Sequence, residues 1–474
     1  MNKSKLLSAA LVVAIATTTA SCHIYKKFEM PEEGIAGEVA AAQKEAVDST
    51  ALGNVKWEQV FTDPQLQALI QIALDSNVDL ENARLNVDIA KAQLQGAKLS
   101  YLPSVALTPN GGTASYGGSK ITKDSWSYTI PATASWEIDV FGKLLNNKRN
   151  AEAAVLQTEA YRQAVRSQII SGVANCYYTI AMLQRQLQIL NETSAIWQES
   201  IKTMQDLKEA GRYNEVAVVQ SKANYASLLA TIPQVEESLH QVNSSLSLLL
   251  NRPQQTWVVD SSYEPSFPEY MEKGVPMAYL AARPDVQAAE QSLAMAYYAT
   301  NTARAAFYPS LVISAGGGFT NLLGSAIVNP GKWFYQLAGQ LTAPLFSRGR
   351  NIATLKAAKL KQQQTLNTFE HTVLAAGAEV GDALVSYNKN KQRSALLVDQ
   401  VDNLSKAVEY NNDLMKYSTA TYLEVLTAQQ SLLNAQMSQL QCELQVRQAA
   451  ISLYQALGGG RLYNINYLNQ KNND

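Results

Sequence analysis

Between Ser125 and Val140 the chain changes character at every residue. Trp126, Tyr128, Ile130, Ala132, Ala134, Trp136, Ile138 and Val140 fall on one face, while Ser125, Ser127, Thr129, Pro131, Thr133, Ser135, Glu137 and Asp139 fall on the other. That period of two predicts a strand, and one long for a soluble protein. A second segment follows the same rule: Trp333, Tyr335, Leu337, Gly339, Leu341, Ala343 and Leu345 alternate with Gln336, Ala338, Gln340 and Thr342. Four strands are expected, at about 104–116, 124–140, 309–320 and 332–346. Aromatic residues close the ends of the apolar faces, as in the girdles of an outer-membrane barrel. A soluble sandwich strand also alternates, so the pattern needs independent support.

Elsewhere the apolar positions recur by fours and threes. Leu183, Leu187, Leu190, Ser194, Trp197, Ile201 and Met204 keep one heptad frame, and Leu397, Val401, Leu404, Val408, Asn411 and Met415 keep another. Leu228, Ile232, Val235, Leu239, Val242, Leu246 and Leu249 continue it in a returning segment. This is the seam of antiparallel coiled coils joined by short turns, and the residues on it are core. From Lys143 to Glu209 there is no proline and one glycine, Gly172. At 1.5 Å per residue such a helix is roughly 100 Å long.

The two halves say the same thing about 206 residues apart. Asp79 and Tyr101-Leu102-Pro103-Ser104-Val105 answer Asp285 and Phe307-Tyr308-Pro309-Ser310-Leu311. Asn214-Glu215-Val216 answers Thr421-Tyr422-Leu423, and Leu246 answers Leu453. A fixed offset means a duplicated structural unit, here helix, β-hairpin, very long helix, returning helix. Four strands cannot close a barrel, and an open sheet edge is not viable in lipid, so copies of the chain must combine.

Composition removes alternatives. The 474 residues carry a net charge of −1 with no dense basic run, which excludes an electrostatic case for nucleic acid. His23, His240 and His371 lack metal-ligand spacing, and no nucleophile elbow, P-loop or dinucleotide fingerprint occurs in a credible setting. No metal, no cofactor and no enzymatic activity are expected. Gly316-Gly317-Gly318 sits in a strand pattern and Gly458-Gly459-Gly460 closes a helix. Cys176 and Cys442 lie inside long helices and are expected as buried free thiols.

The N-terminus reads as an export signal. Lys3 and Lys5 precede an apolar stretch, Leu6 to Ala16, too short to span a membrane as a helix. Thr19-Ala20-Ser21 then leads to Cys22, an arrangement that resembles a bacterial lipobox with Thr19 in the place of the usual Leu. Cys22 is the expected lipidation site, anchoring the mature terminus without spanning the membrane. With export established, the alternating strands read better as membrane strands than as a sandwich.

Several further motifs carry a family resemblance. Trp136-Glu137-Ile138-Asp139-Val140-Phe141-Gly142 ends the first hairpin, and Leu280-Ala281-Ala282-Arg283-Pro284-Asp285-Val286 opens the second repeat. Ala303-Arg304-Ala305-Ala306-Phe307-Tyr308-Pro309-Ser310 leads into the third strand, and Pro344-Leu345-Phe346 leaves the fourth. Tyr422-Leu423-Glu424-Val425-Leu426-Thr427-Ala428-Gln429 and Leu453-Tyr454-Gln455-Ala456-Leu457-Gly458-Gly459-Gly460 complete the last helix. From about residue 60 to 460 the chain resembles the TolC/OprM family of outer-membrane efflux proteins, most of all its lipoprotein (NodT-type) branch. Three departures stand out. Ser347-Arg348-Gly349 replaces the usual Asp/Asn-Gly-Gly, Ser418 replaces a glycine at the second helical tip, and Ala217 and Thr427 occupy positions that are acidic in relatives.

The resemblance implies a mainly α protein with membrane β-structure. Its long antiparallel coiled-coil helices form a periplasmic tube, and its four β-strands contribute to a trimeric 12-stranded barrel. The expected domains are a lipoprotein signal peptide (1–21), a periplasmic tail (22–62), a first repeat (63–262, hairpin 104–140), a second repeat (263–460, hairpin 309–346) and a C-terminal tail (461–474). The implied function is passive conduction, as the outer-membrane channel of a tripartite efflux system for drugs or other small toxic compounds. The implied partners are two further copies (a homotrimer), a periplasmic adaptor, an inner-membrane pump of the resistance-nodulation-division class, and outer-membrane lipid. Alternatives are the duct of a type I protein or peptide secretion system and a non-conducting structural envelope lipoprotein. The resemblance places Glu424 and Thr427 at the periplasmic aperture. It places Gly211, Arg212, Tyr213, Asn214 and Glu215, with Ser418, Thr419, Ala420, Thr421 and Tyr422, at helical tips that meet the adaptor.

Overall fold

The computed structural model describes residues 25–43, 56–113, 126–211, 214–259, 277–320, 332–344, 346–417 and 422–459. Its elements in chain order are α1 (Gly34–Ala42), α2 (Trp57–Val60), α3 (Pro64–Ser76), α4 (Val78–Leu99), β1 (Ser104–Leu107), β2 (Asn110–Thr113), β3 (Trp126–Ile138), α5 (Lys143–Glu209) and α6 (Glu215–Leu249). They continue with α7 (Met277–Ala281), α8 (Pro284–Ala305), β4 (Ser310–Thr320), β5 (Lys332–Thr342), α9 (Arg350–Lys416) and α10 (Tyr422–Ala456). The duplication is literal: α4 and α8 have 22 residues each, α5 and α9 have 67, and α6 and α10 have 35.

Helix ends repeat as well. Asn251 N–H donates to the Leu248 carbonyl and Arg252 N–H to that of Ser247, and 207 residues on Gly458 and Gly459 do the same to Gln455 and Tyr454. Both are Schellman closures, with Asn251 (φ 50°) and Gly458 (φ 73°) in the left-handed position. Each long helix is also entered through a left-handed glycine, Gly142 and Gly349. Before Gly349, Arg348 is left-handed too (φ 51°). A side chain there costs about 1–2 kcal/mol. Arg348→Gly is therefore expected to raise the unfolding free energy by about 1 kcal/mol, read as a higher midpoint in denaturant, with no change in assembly.

The chain divides into two compact units: residues 1–37, 85–159 and 287–371, and residues 38–84, 160–286 and 372–474. Each sequence repeat contributes to both.

The first unit holds the sheet, ordered β1-β3-β4-β5 with β2 also on β3, antiparallel throughout. The first predicted strand is two strands, broken at Thr108-Pro109, because proline offers no ladder N–H; Thr108 still donates to the Pro131 carbonyl. Register keeps the faces largely apart, with Val312 and Phe334 the apolar exceptions on the polar side of β4 and β5. Ile130 pairs with Phe319 and that with Trp333; Ala134 pairs with Ala315 and that with Leu337; Ile138 pairs with Leu311 and that with Leu341. On the other face Thr129 meets Thr320, Ser135 meets Ser314, and Gly316 meets Gln336. Pro131, in the central strand, faces Gly318, where an added Cβ would strike the Ile130 carbonyl and the Pro131 Cα. Gly318 thus lets the two strand backbones approach closely beside the proline. Beyond the sheet, Phe28 packs with Ala153, Ala294 and Tyr298, and Tyr298 Oη accepts from Phe28 N–H at 3.1 Å.

The second unit is helical. Asp63 caps α3, accepting from Gln65 and Leu66 N–H, and takes the Tyr177 hydroxyl on its other oxygen. Phe61 meets Tyr454 edge-to-face at 5.6 Å, and Leu66, Ile70, Ile170, Ile180 and Leu246 are fully enclosed. The heptad frames hold. On α5, Leu183, Leu190, Trp197 and Met204 are buried and Leu187, Ser194 and Ile201 half-buried; α6 alternates in the same way. On α9, Leu397, Val401, Leu404, Val408, Asn411 and Met415 are all half-buried and none is enclosed. The same seam is covered less within one chain. Cys442 is buried as expected, but Cys176 is only half-buried; both are free thiols.

Candidate functional site

Two surfaces bear on function, one in each unit. In the first, the apolar face of the sheet is a band bounded by aromatics: Trp126, Tyr128, Phe319, Trp333 and Tyr335 toward one end, Trp136 toward the other. Trp126 and Trp136 are ten residues apart on β3. At about 3.3 Å per residue and a tilt near 40°, that is about 25 Å along a bilayer normal, the height of a membrane barrel's apolar band. Trp333 is 71% and Leu337 77% exposed, so no described residue covers the face at these positions. The opposite face offers hydroxyls, amides and glycines, as a wet lumen requires. The outer edges, β1/β2 and β5, have no strand partner among the described residues. Among those residues no helix is long and apolar enough to cross a membrane.

At the Trp136 end the Trp136 indole N–H donates to the Tyr101 carbonyl at 2.8 Å, and Phe141 stacks on Tyr308 at 4.9 Å. The N-terminal segment is tied to this end. Tyr25 packs against Gly142, and Arg149 donates to the Tyr25 and Lys26 carbonyls. Cys22 lies outside the described residues. Cys22→Ser is expected to abolish incorporation of labelled palmitate while the barrel still inserts; label retained at wild-type level would show that Cys22 is unmodified.

In the second unit the two helical tips meet. At the first, Gly211 (φ 73°) closes α5, and its N–H donates to the Lys208 carbonyl. Asn214 caps α6, its Oδ1 accepting from Ala217 N–H at 3.1 Å. Glu215 pairs with Lys208 across the turn; that hydrogen bond, then the Lys208 charge, holds its carboxyl below the usual range. Arg212 and Tyr213 lie outside the described residues, as do Ser418, Thr419, Ala420 and Thr421 at the second tip.

Tyr422, expected at an adaptor-facing surface, is 3% exposed. It packs with Met204, Val218 and Leu426, and its Oη accepts from Ser221 Oγ at 3.2 Å. It pins the second tip to the first, a role no local pattern announces. Glu424, in the first turn of α10, is exposed, as is Leu423, while Val425 and Leu426 turn inward. Thr427 is exposed one turn on, its hydroxyl donating to the Leu423 carbonyl at 2.7 Å. Glu424 and Thr427 thus share an open face. Among the described residues no group of three or more His, Cys, Asp or Glu is placed to hold a metal ion.

Comparison with known proteins bears on both surfaces. The family model for the outer membrane efflux protein matches residues 69–252 and 275–459. The cation efflux system protein CusC of Escherichia coli O6:H1 is 30% identical over 470 residues, spanning 97% of this chain and 99% of that protein. A crystal structure of CusC superposes with a TM-score of 0.80 at 27% identity, covering 92% of this chain and 99% of that one. The probable outer membrane lipoprotein SilC of Salmonella typhimurium is 27% identical over 97% of this chain and 99% of its own. The pyoverdine export outer membrane protein OpmQ of Pseudomonas putida is 28% identical over 91% of this chain and 93% of its own.

Proposed function

Since the chain belongs to the outer membrane efflux protein family, we propose that it conducts small toxic solutes outward from an inner-membrane pump of the resistance-nodulation-division class, joined to it by a periplasmic adaptor. It is an outer-membrane efflux channel, a lipoprotein with a periplasmic helical tube, whose strands form one third of a trimeric barrel. The family is one of channels rather than enzymes. A homotrimer, an adaptor and an inner-membrane pump are the partners of such a channel.

One observation carries the conducting role. Across β1 to β5 the register gathers apolar residues on one face and mostly Ser, Thr, Gln and Gly on the other, and neither outer edge has a strand partner among the described residues. A sheet of that kind is stable in lipid only when closed on further copies, and closure leaves the polar face around water. The substrate class rests on the relatives, one a cation efflux protein and another a pyoverdine exporter, both dealing in small solutes. The helical tips at Gly211–Glu215 and near Tyr417 are where an adaptor would dock, and Glu424 with Thr427 would line the aperture.

Planar-bilayer recording of the purified protein tests this directly. Long-lived steps of uniform conductance are expected. A protein that binds bilayers without any step would be a structural lipoprotein instead. Deleting the gene and challenging cells with metal salts, dyes and antibiotics reads the substrate; loss of secreted polypeptides with unchanged resistance would favour the protein-secretion reading.

A further inference from the structure

The two repeats close their helical hairpins at the base with the same geometry and different chemistry. In the first repeat Asn77 Nδ2 donates to the Leu249 carbonyl at the end of α6, while its Oδ1 caps α4 through Asp79 and Leu80 N–H. At an offset of 206 stands Arg283, whose Nη1 donates to the Ala456 carbonyl at the end of α10. Arg283 does more. Its Nε and Nη2 fork onto Asp285 at 3.0 and 2.7 Å, and Nη2 also reaches Glu379 on α9 at 2.7 Å. The position on α5 equivalent to Glu379 is Gly172, where the Leu249 side chain packs instead. The first long helix is therefore held at this level by apolar contact and the second by charge.

The guanidinium side chain is only 7% exposed. Burial pushes its pKa down, but the hydrogen bonds to Asp285 and Glu379 outweigh that and leave it above its ordinary value. Beside it lies a cavity of about 920 Å³, walled by Asp382, Ser386 and Asn390 of α9, Gln445 and Gln448 of α10, and Ser167 of α5. Ser167 is buried, with no partner for its hydroxyl among the described residues. An ion-pair latch beside an open groove lined by polar and apolar side chains leaves the hairpin room for a second arrangement.

We propose that Arg283 is a positioning residue for the α9–α10 hairpin: it clamps the base of that hairpin to the start of α8, and releasing the clamp lets the hairpin shift into the adjacent cavity. The functional consequence rests on the channel reading, since this hairpin carries Glu424. Lysine cannot replace the arginine, because a single ammonium cannot fork onto Asp285 while bonding Glu379 and the Ala456 carbonyl.

Spin labels at Glu209→Cys and Tyr417→Cys, exposed positions ending α5 and α9, report the separation of the two tips. The native thiols interfere little: burial raises Cys176 to about 11 and also raises Cys442, which suppresses their reactive thiolates. Arg283→Met is expected to broaden the distance distribution and to raise the open-to-closed ratio in bilayers about tenfold. Arg283→Lys should not restore it, and Glu379→Gln should give a smaller shift in the same direction. Asn77→Ala, the control in the first repeat, should lower the melting temperature without broadening. An unchanged distribution in Arg283→Met, or equal broadening in Asn77→Ala, overturns the proposal. Should Arg283→Met fail to assemble, Glu379→Gln, which keeps the Asp285 and Ala456 contacts, decides by the same criterion. A wild-type protein without conductance would remove the channel reading, and the distance measurement would still judge the clamp.

Discussion

Leu337→Arg should eliminate the membrane-inserted trimer, while Gln336→Arg, one residue earlier, should leave it assembled with altered conductance. Leu337 lies on the apolar face opposite Ala315, which pairs onward with Ala134, inside the band between the Tyr335 row and the Trp136 row. An arginine on the lipid face costs up to about 2–4 kcal/mol toward mid-depth, and three copies bring up to about 6–12 kcal/mol to one barrel. That rivals the whole stability of an ordinary domain, about 5–15 kcal/mol. Gln336 faces Gly316 on the polar side, where a guanidinium stays hydrated. Depth gives a second control. Leu341 shares a row with Leu311 and Ile138, next to Trp136 and the interface, where the same arginine costs only about 0–1 kcal/mol. Heat-resistant trimer on gels and folding yield into vesicles are the readouts. Equal tolerance at Leu337 and Gln336 would show that the strands do not face lipid.

Glu424→Gln should reduce cation preference and weaken block by multivalent cations, with trimer yield unchanged. Glu424 stands exposed in the first turn of α10, and the turn behind it is anchored by Tyr422, Val425 and Leu426. Its direction is therefore set by packing. Three copies around one axis bring three carboxylates to the same level, and a ring of like charge draws cations by field strength. The competing account is a helix-end acid that only complements the N-terminal dipole, worth about 0.3–1 kcal/mol. Gln removes the charge at nearly constant volume, so the two accounts part at the reversal potential under a salt gradient. An unshifted reversal potential in the variant would take Glu424 out of the aperture. Thr427→Glu, restoring an acid one turn on, should move the potential the opposite way.

Much of this was legible in the sequence because it is periodic. Alternation at Trp126–Ile138 and Lys332–Thr342 and the heptads of α5, α6 and α9 depend only on residues near each other along the chain, and the offset of 206–207 is read by comparing the chain with itself. They specify strand, helix, face and duplication before any tertiary contact forms, and with both sheet edges open they require copies of the chain. The break at Thr108-Pro109 was written there too, but hidden within an otherwise strand-like run.

Tertiary structure decided what lies between the elements. Ser221 and Tyr422 are 201 residues apart, Asn77 and Leu249 are 172 apart, and Arg283 and Ala456 are 173 apart. No local pattern relates such pairs. Their contact follows from which helices pack and in what register, so Tyr422 could read as a surface residue and prove a buried pin. In the same way Asn77 and Arg283 look unrelated as letters, yet they occupy one position of the duplicated fold. The sequence by itself determined a duplicated chain with two-faced strands, and beside an export signal those strands read as membrane-inserting and in need of further copies, because periodicity fixes faces and unpaired sheet edges are not viable in lipid. Only the fold assigned Arg283, Tyr422 and Tyr25 their partners, because burial and ion pairing are properties of residues that meet in space.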